Sequence, residues 1–247
     1  MKTDNYKLLE FLLELNQMSF KYLLDIYDKK TATGGKLIFP VKRRGELRIS
    51  EQELRFAYAA TLERKGIFQP YFYSVEPPTA EKYHFKGVVT ERSGSSDLSL
   101  YEPNDGKKQE NKFNRVCNIE CKAHNADPKS IQKDIQKLVR EEVVGGWGHL
   151  LLNQDSGTLR ELLRKITKSF QVTLADKTYS LKYADKPYFF SFGILGSRQL
   201  ISRKIEKGEI KGNISKIFSI DYEKLKGLHT GKYCDFNGTP WQVDVFK

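Results

Sequence analysis

The 247-residue chain is long enough to bury a sizeable core as one large domain or two small ones, and its 39% hydrophobic and 12% aromatic content argues against wholesale disorder. Its 42 Lys and Arg against 31 Asp and Glu leave a formal net charge of +11, which favours polyanionic partners through long-range steering. Glu10 and Glu14 interrupt Leu8 to Leu15, so no signal peptide is expected, and no apolar run approaches the roughly 18 to 20 residues of a membrane span. Cys117, Cys121 and Cys234 lack the spacing of a disulfide framework or a zinc site, which leads us to expect a reducing, cytoplasmic setting.

From Tyr6 to Asp28, leucines and aromatics recur at helical spacing, predicting one or two amphipathic helices that serve as a packed N-terminal layer or as a partner surface. Thr31 to Gly35 is a turn-rich break. Arg43, Arg44 and Arg48 then precede Ser50, an N-cap with Glu53 at capping-box spacing. The helix expected there runs from Glu51 to about Lys65, with Leu54, Ala57, Tyr58 and Leu62 on its apolar side and Gly66 closing it. Ile67 to Val75 is β-prone, although Pro70 limits it or puts it at an edge, and Lys82 to Thr90 reads as an accessory strand or as an extension of the pairing.

The chemistry concentrates between Ser95 and Asn125. After Asp97, Leu98 and Leu100 alternate with Ser99 and Tyr101, the period of a half-buried strand. Turn residues Pro103 to Gly106 follow, and then Val116 to Lys122, whose alternation puts Glu120 and Lys122 on one face and Cys117, Ile119 and Cys121 on the other. A hairpin would let Asp97 and Glu120 converge. Two neighbouring carboxylates repel, and a hard divalent cation relieves that repulsion. A lysine two residues beyond Glu120 can orient a metal-bound water or stabilise a charged phosphate, which makes phosphodiester hydrolysis the natural reaction.

A helix is expected from Pro128 through Ile131, Ile135, Leu138 and Val139, with Lys129, Lys133, Lys137 and Arg140 forming a basic stripe on its exposed side, either a solvated face or a phosphate-backbone contact. Gly145, Gly146 and Gly148 punctuate the chain before a short buried strand around His149 to Leu152. Ser156 to Phe170 reads as a helix, Gln171 to Tyr183 as a hairpin, Tyr188 to Leu195 as an aromatic strand, and Trp241 to Phe246 as a closing strand. Arg198, Arg203, Lys204 and Lys207 make a basic segment between the last two.

Asp97 followed by Glu120-Cys121-Lys122 resembles the PD-(D/E)XK nuclease superfamily, with Ser96 standing where the family's proline is common. The resemblance implies an α/β fold with a restriction-endonuclease-like core: a central mixed four-stranded sheet flanked by helices (αβββαβ) over residues 46–175. An N-terminal helical segment, 1–45, and a C-terminal α+β extension, 176–247, would be additions to it. It also implies a Mg²⁺-dependent nuclease, most naturally a DNA endonuclease of restriction or defence type, in which Mn²⁺ substitutes. Asp97, Glu120 and the backbone carbonyl of Cys121 would bind the metal, and Lys122 would position the attacking water or stabilise the phosphate. Glu53, with Glu63 as second choice, would assist through water, unless Glu53 is simply a helix cap. A homodimer is expected if both strands of a duplex are cut. The alternative is a non-catalytic nucleic-acid-binding or specificity module on the same scaffold.

Other chemistry finds little support. His84, His124, His149 and His229 have neither HExxH nor zinc-finger spacing, and no phosphate loop or dinucleotide fingerprint occurs. Cys117 and Cys121 lack a base partner for nucleophilic work.

Overall fold

The computed structural model describes residues 4–28, 37–64, 71–83, 91–104, 112–153, 158–176, 182–211, 214–220, 232–236 and 239–247. In chain order the elements are α1 (Asn5–Tyr27), α2 (Glu51–Leu62), β1 (Phe72–Val75), β2 (Pro78–Tyr83), β3 (Arg92–Ser95), β4 (Leu98–Pro103), β5 (Phe113–Ala123), α3 (Pro128–Arg140), β6 (Val144–Leu151) and α4 (Thr158–Ala175). Then follow β7 (Tyr188–Ile194), β8 (Gln199–Ile205), a 3₁₀ turn at Glu209–Lys211, α5 (Ile214–Ile217), β9 (Lys232–Phe236) and β10 (Thr239–Val245).

The molecule is α/β, with a mixed sheet flanked by helices. The sheet has eight strands in the order β1-β4-β5-β6-β7-β8-β10-β9, and β2 and β3 form a separate hairpin. β5, β6 and β7 are mutually parallel, while β1, β4, β8, β10 and β9 pair antiparallel to their neighbours. The C-terminal residues therefore prolong the same sheet rather than forming a unit beside it.

Each face of the sheet carries its own core. On one, α1 and α2 cover Leu98, Leu100, Cys117, Ile119, Cys121 and Leu150. On the other, α3, α4 and α5 cover Trp147, Phe190, Phe192, Ile201 and Ile205. Strand alternation produces this division, because successive side chains of β5, β6 and β7 leave opposite faces.

The N-terminal periodicity resolves into a single helix of 23 residues, α1, capped by Asp4. Its buried stripe contains two polar residues: Ser19, whose hydroxyl donates to the Thr61 hydroxyl at 3.0 Å, and Asn16, whose Oδ1 accepts from the hydroxyls of Tyr58, at 2.6 Å, and Ser191. That pair of bonds ties α1 to α2 and β7, and it satisfies polar groups that would otherwise be stranded in the core.

Two local expectations are corrected. The segment from Gln171 to Ala175 is not a hairpin strand but the last turn and a half of α4, because Ser169, Phe170 and Thr173 continue the buried stripe of Leu159, Leu162, Leu163 and Ile166; residues 177–181 lie outside the described residues. The glycines Gly145, Gly146 and Gly148 do not precede a strand but lie inside β6, which is buried along its whole length. A Cβ at Gly148 would fall 2.3 Å from the Tyr58 hydroxyl, and one at Gly145 would fall 2.6 Å from the Tyr188 ring. Glycine there admits neighbouring rings against the strand, a packing requirement rather than a turn. Gly66, assigned the role of helix closure, and the turn at Asp105 and Gly106 lie outside the described residues.

Candidate active site

β4 and β5 are antiparallel, with Leu98 opposite Ile119, and β4 begins there. Beyond that rung the β4 edge of β5 is open, and Asp97 fills it: the Cys121 backbone N–H donates to Asp97 Oδ2 at 2.6 Å. In an extended strand the N–H and C=O of one residue point to the same edge, so the Cys121 carbonyl faces the Asp97 side as well. The Arg55 guanidinium, from α2, lies 3.6 Å from Asp97 Oδ1 and 2.7 Å from Glu76 Oε1. Glu76 adopts a positive φ of 52°, a conformation rare outside glycine, and its backbone N–H donates to the Asp97 carbonyl. Asp97 is thus held from three sides.

Glu120 and Lys122 leave β5 toward α3, opposite the buried Cys121. The Lys122 ammonium lies 2.6 Å from Asp134 Oδ2 and 3.4 Å from Glu51 Oε2. Lys137 completes the group, donating to Glu120 Oε2 at 2.6 Å and to the Ser95 carbonyl at 2.9 Å, with Asp134 Oδ1 also 2.9 Å away. Asp134 is the bridge, since one oxygen serves Lys122 and the other serves Lys137.

Burial governs the electrostatics. It pushes the Asp97 carboxyl up, against the opposing pull of the Cys121 N–H and the charges of Lys122, Lys137 and Arg55. It pushes Glu120 up much further, with the Asp134 charge adding to the effect, so the ionised carboxylate depends on Lys137. For Lys122 and Lys137 burial favours the neutral amine, but the carboxylates of Asp134, Glu51 and Asp97 around the first, and of Glu120 and Asp134 around the second, outweigh it and hold both above the ordinary lysine value. Lys122 is therefore a fixed cation at neutral pH.

Of the residues singled out in the sequence, Asp97, Glu120, Lys122 and the Cys121 backbone come together. Glu53 does not join them. Its Oε2 accepts from the Ser50 backbone N–H at 2.6 Å and from the Ser50 hydroxyl, which completes the capping box, and the helix acid that reaches the cluster is Glu51. The proposed basic stripe on α3 is also corrected. Lys129 and Lys133 are exposed, but Lys137 and Arg140 are buried, 5% and 8% accessible. The carboxylates of Glu120 and Asp134 draw Lys137 inward, and Arg140 lies over the Tyr83 ring, 4.5 Å from its centroid.

Asp134, Glu51 and Arg55 were missed. Asp134 had a readable signal, because it interrupts the stripe of Ile131, Ile135 and Leu138 at a position whose spacing makes it buried.

The carboxylates of Asp97 and Glu120 and the Cys121 carbonyl are hard oxygen donors, suited to Mg²⁺ or Mn²⁺. Glu120 Oε1 is buried with no hydrogen-bond partner, an acceptor of the kind a cation would use. Among the described residues no three His, Cys, Asp or Glu side chains gather in a cage, so a metal here would need backbone and solvent oxygens in addition. No family model, curated protein or solved structure matches the chain. Among the described residues no helix is long and apolar enough to cross a membrane.

Proposed function

We propose that this protein is a Mg²⁺-dependent nuclease of the PD-(D/E)XK type, cleaving nucleic acid, with DNA as the favoured substrate. The observation that carries the reading is the convergence of Asp97, Glu120 and Lys122 where β4 gives way to the open edge of β5. Supporting it is the neighbour order β1-β4-β5-β6, antiparallel, antiparallel and then parallel, with α2 before it and α3 linking its last two strands. That is the order the resemblance implies, embedded in a longer sheet.

Asp97, Glu120 and the Cys121 carbonyl would hold the metal, which when bound supplies charge neutralisation of the phosphodiester and acidification of a water. Lys122, kept cationic by Asp134 and Glu51, stabilises the phosphate or orients the attacking water. Arg55 and the Cys121 N–H fix the orientation of Asp97. The net charge of +11 draws polyanions, and the exposed Lys129 and Lys133 at the start of α3 offer backbone contacts. A restriction or defence role fits such an enzyme, with a homodimer where both strands are cut.

The test is cleavage of plasmid or single-stranded DNA in Mg²⁺ by Asp97→Ala and Lys122→Ala. Both should lose activity while keeping the wild-type far-ultraviolet circular dichroism. Undiminished cleavage by both would rule the mechanism out.

One observation favours a second reading, a nucleic-acid-binding module without catalysis. Both carboxylates already have internal cations beside them, Lys137 at Glu120 and Arg55 at Asp97. Salt-sensitive DNA binding without any calorimetric uptake of Mn²⁺ would select it over the nuclease.

A further inference from the structure

We propose that Lys137 is a built-in counter-cation that occupies Glu120 in the metal-free protein and competes with a divalent cation for that carboxylate, so that cation entry requires the Lys137 ammonium to leave Glu120. The inference rests on the reading of Asp97 and Glu120 as metal ligands.

An ammonium has three protons, and Lys137 faces three acceptors: Glu120 Oε2 at 2.6 Å, Asp134 Oδ1 at 2.9 Å and the Ser95 carbonyl at 2.9 Å. Its charge is therefore directed into the cluster rather than toward solvent. Glu120 is left with one open oxygen, Oε1, and the other is taken.

Charge balance gives the competition its direction. Asp97, Glu120 and Asp134 are matched by Arg55, Lys122 and Lys137, while the more exposed carboxylates of Glu51 and Glu76 lie at the rim against Lys122 and Arg55. A divalent cation added to the inner set would leave it with excess positive charge, which the two rim carboxylates, 40% and 63% exposed and screened by solvent, offset only in part. Departure of one ammonium from Glu120 relieves it. Lys122 is the less suitable one to go, because it pairs with Asp134 and Glu51 and not with the ligand carboxylates. Lys137 is the ammonium that holds Glu120, and its third acceptor, the Ser95 carbonyl, belongs to an exposed residue at the end of β3.

The experiment is isothermal titration of the full-length protein with MnCl₂, comparing wild type, Lys137→Met and Asp97→Ala. At a pH high enough to keep Glu120 ionised without its lysine, Lys137→Met should bind Mn²⁺ roughly tenfold or more tightly than wild type, because a like charge beside a ligand has been removed while the side-chain volume is kept. Equal or weaker binding by Lys137→Met, with wild-type uptake abolished in Asp97→Ala, overturns the inference and leaves the metal-site reading intact. No uptake by wild type or by Lys137→Met overturns both.

If Lys137→Met fails to fold, the wild type still decides the matter. Lysine-directed acylation read by mass spectrometry should find Lys137 protected without Mn²⁺ and modified faster with it. Protection that does not change on Mn²⁺ addition overturns the inference.

Discussion

Two stretches of the same sheet face are covered by helices in different ways. Beneath α3, β5 presents Glu120 and Lys122 to Asp134 and Lys137, and charge is enclosed. Further along, β7, β8 and β10 present Phe190, Phe192, Ile201 and Trp241 to α4 and α5, and rings fill the space: Phe190 stands edge-on to Phe218 at 4.9 Å, and Phe170 packs on both. The aromatic end is a conventional source of stability, since burial of apolar area is favourable without conditions. The charged end is not. Desolvating three carboxylates and two ammoniums costs about as much as their attraction returns, and apolar side chains of similar volume would serve stability as well or better. Ions kept where rings would fit are what the proposed chemistry requires.

The comparison breaks most visibly at Asp134. Asp134→Ala removes the bridge and leaves Lys122 and Lys137 confronting each other in a buried space, so it should lower the unfolding free energy by about 3–5 kcal/mol in urea titrations. Phe190→Ala, at the aromatic end, should cost a similar ~3–5 kcal/mol through a cavity. The two differ in what else they change. Mn²⁺ uptake and cleavage should survive Phe190→Ala under conditions where it is folded, and cleavage should fail in Asp134→Ala. If both variants fail alike, the separation between the two ends is not real.

His149 marks the border between them. It lies in register with Lys122 on one side and Phe192 on the other, its ring stacked on the Phe192 ring at 6.0 Å. Burial lowers its pKa from 6.5 to about 4, opposed by the hydrogen bond between Nε2 and the His124 carbonyl, while the charges of Lys122, His124 and Lys165 lower it further. The native state therefore favours the neutral ring. Its contribution is present in full above about pH 6.5, where neither state binds the proton, and is lost as pH falls toward 4, because the unfolded chain protonates first. That difference amounts to about 3 kcal/mol. Chemical denaturation between pH 7 and pH 4 should show a loss of stability that is shallower by this amount in His149→Gln. An unchanged slope would mean that the border histidine is not held neutral.

How far these two ends could be read in the sequence depends on the range of the interactions that make them. The stripes of α1, α3 and α4 are local and were legible, as was the alternation that turns Glu120 and Lys122 away from Cys121. The packing of Gly148 against Tyr58 was not, because the partner lies far away in the sequence and the glycine alone reads as a turn. Asp134 stands as a charged residue within an apolar stripe, but its partner Lys122 comes from β5 and shows only when that strand is laid opposite. Lys137 was legible as a cation but not as an inward-facing one, since only the buried acids decide which way its long stem turns. The continuation of the sheet through β7, β8, β10 and β9 was equally hidden, because pairing partners do not show in single-strand alternation.

The smallest effect sharpens the boundary of the charged end on α2. Glu51 and Glu53 are two residues apart and therefore leave the helix on different sides, one toward Lys122 and the other back onto Ser50. Glu53→Ala removes half of a capping box and should lower stability by about 1 kcal/mol with cleavage at the wild-type rate. Glu51→Ala should change stability less, because its carboxylate is 40% exposed and its pair with Lys122 is long at 3.4 Å. Its effect belongs on the rate, a loss of a few-fold, because Lys122 keeps Asp134 but loses the carboxylate that centres it. Urea titration and initial cleavage rates on the two variants separate the roles. A slower Glu53→Ala and an unaffected Glu51→Ala would mean that Glu53 leaves its cap to serve the site when substrate is present, and the charged end would then extend a turn further along α2 than the network seen here.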